Sequence, residues 1–296
     1  MKFEGIVPAL LTPFDKDEEV NYDAAAALTD RLIGQGIGGL FVCGSTGEWW
    51  TLSQDERKQV LETVVQAAAG RTKIMVHVGS TSTRFATELA RHAESIGADA
   101  VSALPPLGRP YDAAEVWGYF KDIGAASSLP LYLYHLPQVY GDTITMDRFL
   151  QAMDEIPTLA GAKFSSYRID DLIHLRVKAQ GRLNIISGCA EQLLSATACG
   201  ADGSICTWYN IVPRLGRAIF DAVKAGDIAR ARELEETLVS FAMLALPKGV
   251  GSVKWLVGLR GIAAGAPRRP AVDRTPQENK DLLPRIEATG VMEWAI

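Results

Sequence analysis

The sequence predicts an α/β chain built as one (β/α)8 barrel, the TIM-barrel architecture, with a C-terminal helical extension. Three observations predict it. Short apolar runs rich in β-forming residues recur eight times, and longer amphipathic stretches separate them, as expected when each parallel strand is followed by a crossover helix. The length of 296 residues, 48% of them hydrophobic, supplies a core for one large barrel.

Taken in order, the strand candidates fall at residues 5–14, 39–44, 74–79, 100–105, 131–137, 159–165, 183–189 and 203–210. The helical stretches between them carry start and stop signals. Residues 53–68 open on Ser53-x-x-Glu56, the pattern of a capping box, and residues 84–96 close on Gly97 at the position that favours a left-handed backbone. Residues beyond about Ile211 form the eighth helix and the extension. Residues 1–224 are thus assigned to the barrel and 225–296 to a helical extension packed on it, as a single structural unit. Eight units at this regular spacing favour a closed barrel over an open doubly wound sheet, and the function of such a barrel is sought at the carboxyl ends of its strands.

Charge and composition exclude several classes of function. Thirty-five acids against thirty bases leave a net charge of −5, with no Lys/Arg cluster to grip a nucleic-acid backbone or an anionic membrane. No segment reaches the roughly 18 apolar residues that span a bilayer, and the N-terminus is broken by Pro8 and Pro13, unlike a signal peptide. A cytoplasmic protein with small-molecule partners is expected. Cys43, Cys189, Cys199 and Cys206 lack C-x-x-C spacing and lie near or within apolar runs, so buried free thiols are expected rather than a disulfide framework or a zinc site.

Some motifs are decoys. Gly34-x-Gly36-x-x-Gly39 matches the dinucleotide fingerprint as a string, yet it ends a helix and opens a strand, the reverse of the order that aims backbone N–H groups at a pyrophosphate. These glycines are read as a helix stop and a tight turn. His135 and His174 are assigned to packing or to the surface rather than to a metal.

Other residues converge on the strand ends. Lys163 interrupts the apolar strand Leu159-Ala160-Gly161-Ala162-Lys163-Phe164, where an ammonium is rarely buried without a purpose. Burial of an amine favours its neutral form, the nucleophile that attacks a ketone. Tyr134, near the end of the fifth strand, brings a phenol that can relay a proton on the neighbouring strand. Gly44-Ser45-Thr46-Gly47-Glu48 follows the second strand with hydroxyl and amide donors suited to an anion, or to capping the next helix. Gly188 and Glu191 follow the seventh strand, while Thr207, Tyr209 and Asn210 end the eighth.

In these residues the chain resembles the family of N-acetylneuraminate lyases and dihydrodipicolinate synthases, the pyruvate-dependent class I aldolases. The resemblance spans nearly the whole chain. It rests on Pro8-Ala9-Leu10-Leu11-Thr12-Pro13-Phe14, Gly44-Ser45-Thr46-Gly47-Glu48, Tyr134-His135-Leu136-Pro137, Gly161-Ala162-Lys163 with the serines after it, and Gly200-Ala201-Asp202-Gly203 before Tyr209-Asn210. It implies that Lys163 forms an imine with a 2-oxo acid, that Tyr134 moves protons, and that Ser45 and Thr46 receive the pyruvyl carboxylate. The covalent imine then takes the place of any metal or other cofactor.

The match is closer to the neuraminate-lyase branch, which implies that Ser165, Gly188, Glu191 and Thr207 contact a sugar-derived chain. Two positions depart from the pattern. Ala190 stands where that branch commonly has Asp, and Pro105-Pro106-Leu107-Gly108 replaces an aromatic pair of which one member reaches a neighbouring subunit's proton relay. The expected activity is reversible cleavage of a 2-oxo-3-deoxy sugar acid, N-acetylneuraminate among the candidates, to pyruvate and an aldehyde. Dehydration of a sugar acid through the same imine and a retired barrel that only binds 2-oxo acids stand as alternatives. The resemblance also implies a homo-oligomer, a tetramer in most relatives.

Overall fold

A computed structural model of the chain describes residues 2–141 and 144–296. Eight parallel strands among the described residues run β1 (Gly5–Pro8), β2 (Leu40–Val42), β3 (Ile74–His77), β4 (Ala100–Ala103), β5 (Leu131–His135), β6 (Leu159–Phe164), β7 (Asn184–Ser187) and β8 (Gly203–Cys206). They lie in the order β1-β8-β7-β6-β5-β4-β3-β2. An Ala9–Phe41 bridge and a 2.9 Å bond from the Leu10 amide to the Phe41 carbonyl join the two ends of that order and close the barrel.

All eight expected strands form, each ending before its expected last residue, and β1 and β8 fall shortest. β1 ends at Pro8, which has no N–H to donate to a ladder, rather than at Phe14. β8 ends at Cys206, and Thr207–Asn210 wind into a 3-10 turn. The helices α1 (Tyr22–Ile33), α2 (Gln54–Ala68), α3 (Thr83–Ser95), α4 (Ala113–Ala126), α5 (Pro137–Tyr140), α6 (Met146–Glu155), α7 (Ile169–Ala179), α8 (Leu193–Ala198) and α9 (Pro213–Lys224) follow in turn.

Local chemistry sets their ends. Ser53 and Glu56 close a reciprocal capping box at the start of α2, satisfying two amides that the first turn leaves without partners. Gly97 takes φ +85 after α3, and Gly34 and Gly36 end α1, so these glycines stop helices rather than cradle a nucleotide.

Alternation along the strands sorts the core into two clusters. Val7, Phe41, Met75, Ala100, Tyr132, Tyr134, Ile186 and Ile205 fill the barrel interior, while a larger apolar shell packs between sheet and helices. The bottom is sealed by Asn184, which accepts from the Phe3 amide and the Tyr132 hydroxyl, each at 2.8 Å. Gly161 is required beside it, because a Cβ there would lie 2.2 Å from the Asn184 carbonyl oxygen and 2.5 Å from the Tyr132 ring. Beyond the barrel, α10 (Ile228–Ala245), α11 (Val250–Gly258) and α12 (Pro276–Glu287) continue the chain. None of the helices of the described residues is long and apolar enough to cross a membrane.

Candidate active site at the barrel mouth

The parallel register of β5 and β6 sets Tyr134 directly beside Lys163. Residues in register share a sheet face, and both side chains project into the barrel from the carboxyl ends of their strands. Lys163 is 4% exposed. Its Nζ lies 3.5 Å from the centroid of the Tyr134 ring and 4.3 Å from that of Phe41. No carboxylate among the described residues pairs with it, so the amine rests on aromatic faces and keeps its bonding capacity for a ligand.

The Tyr134 ring is held from two sides. Phe41 and His77 meet it edge to face, at centroid distances of 5.9 and 6.2 Å. Its hydroxyl lies 3.4 Å from the Ser45 Oγ in the turn after β2. The next residue of that turn, Thr46, shares a 2.6 Å hydrogen bond with the Thr207 hydroxyl after β8. A chain of hydroxyl groups therefore runs across the mouth from Tyr134 to Ser45, with Thr46 and Thr207 beside it.

His77 ends the apolar strand β3 and is fully enclosed. Burial, reinforced by the positive charges of Arg57 and Lys163, holds its imidazole well below the usual range, and its Nε2 accepts from the Leu104 amide at 3.3 Å. It is therefore a neutral wall to the site. Arg57 is buried behind it, donating to the carbonyls of Gly79 and His77 and lying 5.3 Å from the Trp49 ring centroid.

On the far side of Lys163, Ser165 and Gly188 touch. A Cβ on Gly188 would sit 1.7 Å from the Ser165 Oγ, so only glycine lets the two strand ends approach this closely. Glu191 is half-buried and accepts from the Trp208 indole at 2.8 Å, which fixes its carboxylate. The Cys189 and Cys206 thiols lie nearby, and burial pushes both up to about 12.

The structure thus brings Lys163, Tyr134, Ser45, Thr46, Ser165, Gly188, Glu191 and Thr207 to one face of the barrel. Tyr209 and Asn210 do not join them. The Tyr209 hydroxyl donates to the Ser204 Oγ inside the shell, and Asn210 bonds Ala9, Leu11 and Thr207 backbone groups, so both are structural. His135 packs on Phe164 with centroids 4.9 Å apart, and His174 is exposed. Sequence reasoning missed Phe41, Trp49 and His77. A histidine at the last position of the apolar run Ile74-Met75-Val76-His77 was the available signal.

At the rim, Pro105, Pro106, Leu107 and Gly108 line a cavity of about 640 Å3 together with Trp50, Tyr111 and Val139. No cluster of three potential metal ligands occurs among the described residues.

Fold and site together define a lysine-centred (β/α)8 barrel whose chemistry lies at the carboxyl ends of its strands. The model of the dihydrodipicolinate synthetase family matches residues 2–289. An N-acetylneuraminate lyase of Rhizobium meliloti (strain 1021) is 36% identical over 297 residues, covering 99% of this chain and 97% of that protein. The structure of Proteus mirabilis N-acetylneuraminate lyase superposes with a TM-score of 0.93 at 31% identity, covering 98% of this chain and 100% of the other. A catalytic lysine mutant of Ruminococcus gnavus sialic acid aldolase superposes at 0.94, with 26% identity and coverages of 98% and 97%. The chain belongs to the dihydrodipicolinate synthetase family, on the side of its N-acetylneuraminate lyases.

Proposed function

We propose that this chain is a carbon–carbon lyase of the class I aldolase type. It reversibly cleaves a 2-oxo-3-deoxy sugar acid of the N-acetylneuraminate kind to pyruvate and an aldehyde. The observation that carries this reading is the Lys163 amine, buried at the mouth against the Tyr134 ring with the Ser45–Thr46 turn beside it. Support also comes from the similarity to lyases of that name and from a lysine being catalytic in the Ruminococcus gnavus sialic acid aldolase.

The chemistry follows from the groups present. Ser45 and Thr46 receive the substrate carboxylate through hydroxyl and backbone donors, which sets the C2 ketone against Lys163. The amine adds to C2, water leaves, and a protonated imine forms on Nζ. Tyr134, left as a phenolate by giving the proton with which water departs in imine formation, takes the proton of the C4 hydroxyl as the C3–C4 bond breaks, and the bonding electrons flow into the imine to give an enamine. The aldehyde departs. Protonation of C3 and addition of water then release pyruvate and regenerate the amine. Ser165, Glu191 and Thr207 hydrogen-bond the polyol, and Gly188 lets Ser165 reach it. No metal or further cofactor enters this scheme.

The test is reductive trapping. Incubation with pyruvate and borohydride is expected to add one reduced pyruvyl group to Lys163, and Lys163→Ala to lose both adduct and turnover while staying folded. Release of free pyruvate from the sugar acid separates cleavage from dehydration, whose product keeps the whole carbon chain. An adduct on another lysine, or turnover by Lys163→Ala, refutes the assignment. A cytoplasmic homotetramer is part of the same reading, and sedimentation analysis checks the assembly.

A further inference from the structure

The Glu48 carboxylate and the Lys254 ammonium form an ion pair of 2.6 Å, with side chains 4% and 0% exposed. The scheme above uses neither residue. A buried ion pair is weak evidence of stabilisation, because desolvating two charges costs about as much as their attraction returns. Its position therefore calls for another explanation.

Glu48 directly follows the Ser45-Thr46-Gly47 turn and holds a left-handed backbone, φ 54 and ψ 37, that side chains other than glycine rarely adopt. Its amide donates to the Ser45 carbonyl at 3.1 Å, closing the turn. Something must hold so unfavourable a conformation, and the carboxylate is gripped at both oxygens from the C-terminal extension. Oε1 faces Lys254 of α11, and Oε2 accepts from the Arg268 amide at 2.9 Å. Lys254 is itself fixed, donating to the Ala266 carbonyl at 3.1 Å and lying 4.0 Å from the Phe14 ring centroid. The Arg268 guanidinium continues the clamp to the Thr51 carbonyl and to Glu56 of the capping box.

We propose that Lys254 is a positioning residue for the 2-oxo-acid carboxylate: through buried Glu48 it fixes the strained turn that aims the Ser45 and Thr46 donors into the mouth. The extension is thereby part of the binding machinery, although it contributes no group to the reacting atoms. The proposal rests on the reading that this turn receives the carboxylate. Burial lowers the Lys254 amine to about 8 against the opposing pull of Glu48, in keeping with a charge retained at a desolvation cost.

The experiment compares wild type with the double variant Glu48→Gln/Lys254→Met, which removes both charges together and leaves neither buried alone. Borohydride trapping is titrated with pyruvate and, in parallel, with methyl pyruvate, whose ester carries no carboxylate charge. The double variant is expected to raise the half-saturating pyruvate concentration about tenfold. Half-saturation by methyl pyruvate and the maximal extent of trapping should change less than about threefold. A pair that served folding alone would lower the melting temperature and shift neither ligand selectively. Unchanged pyruvate half-saturation, or an equal shift for both ligands, overturns the proposal. If the double variant does not fold, Glu48→Gln alone is held to the same two outcomes. Absence of any adduct in the wild type is a different failure, that of the imine reading itself.

Discussion

Replacing Gly188 by alanine tests how closely the ends of β6 and β7 must approach to build the site. The added Cβ would meet the Ser165 Oγ at 1.7 Å, its Cβ at 2.7 Å and its Cα at 2.9 Å. Rotating the serine relieves the first contact, but the other two oblige the strand ends to part. Forcing one methyl into a site packed this tightly costs about 1–3 kcal/mol. For a chain of this size that lowers the melting temperature by roughly 2–9 °C, at about 2–3 °C per kcal/mol. The assay is thermal unfolding of four proteins, wild type, Gly188→Ala, Ser165→Gly and the double variant. Ser165→Gly removes the two nearest clashing atoms, so the double variant should recover most of the loss that Gly188→Ala causes. Activity should fall in all three variants, because each displaces or removes the Ser165 hydroxyl. A melting temperature unchanged by Gly188→Ala, or a loss not relieved by Ser165→Gly, would refute the packing argument.

Three further outcomes are expected. Tyr134→Phe keeps the ring against Phe41 and His77 but deletes the hydroxyl proposed to carry the proton, so kcat should drop by about 10²–10⁴ with little change in melting temperature; a near-normal rate moves the relay elsewhere. Val139 is 64% exposed on the rim, and the family resemblance implies an arginine at this position in the dihydrodipicolinate-synthase branch, where it holds the aldehyde's carboxylate. Valine forfeits a charge-assisted contact of about 1.5–3 kcal/mol, one to two decades in affinity. Pyruvate condensation should therefore show a higher kcat/KM with polyhydroxy aldehydes than with aspartate semialdehyde, and the reverse order would overturn the choice of branch. Burial pushes the Cys43 thiol up to about 11 and those of Cys189 and Cys206 to about 12, which leaves roughly one thiolate in 10³–10⁴ at pH 8. A thiol reagent on the native protein should label Cys199 first and the other three only on unfolding; fast labelling of Cys189 would contradict its burial.

Much of the fold was legible because its signals are local and periodic. The strand cores of the barrel are apolar runs, the α2 capping box is four consecutive residues, and Gly97 stops α3 where its left-handed backbone requires. Strand ends were less legible. The 3-10 turn over Thr207–Asn210 depends on hydrogen bonds to distant chain, such as those Asn210 makes with Ala9 and Leu11. For the same reason Tyr209 and Asn210, polar residues at a strand end that were expected to face the mouth, are taken up by Ser204 and by backbone groups.

By itself the sequence determined that a lysine sits in the sixth strand, a phenol in the fifth and a hydroxyl-bearing turn after the second, because each is a departure from its local apolar pattern. Only the tertiary structure decided which of them meet. The β5–β6 register sets Tyr134 against Lys163, and barrel closure carries Thr207 to within 2.6 Å of Thr46, 161 residues away. Only the folded chain likewise brings Lys254 to Glu48, because an ion pair between residues some two hundred positions apart leaves no periodic or local trace. Local propensity is written residue by residue; the contacts that tune a site arise when strands close and an extension folds back, and their energy depends on burial that no single segment possesses.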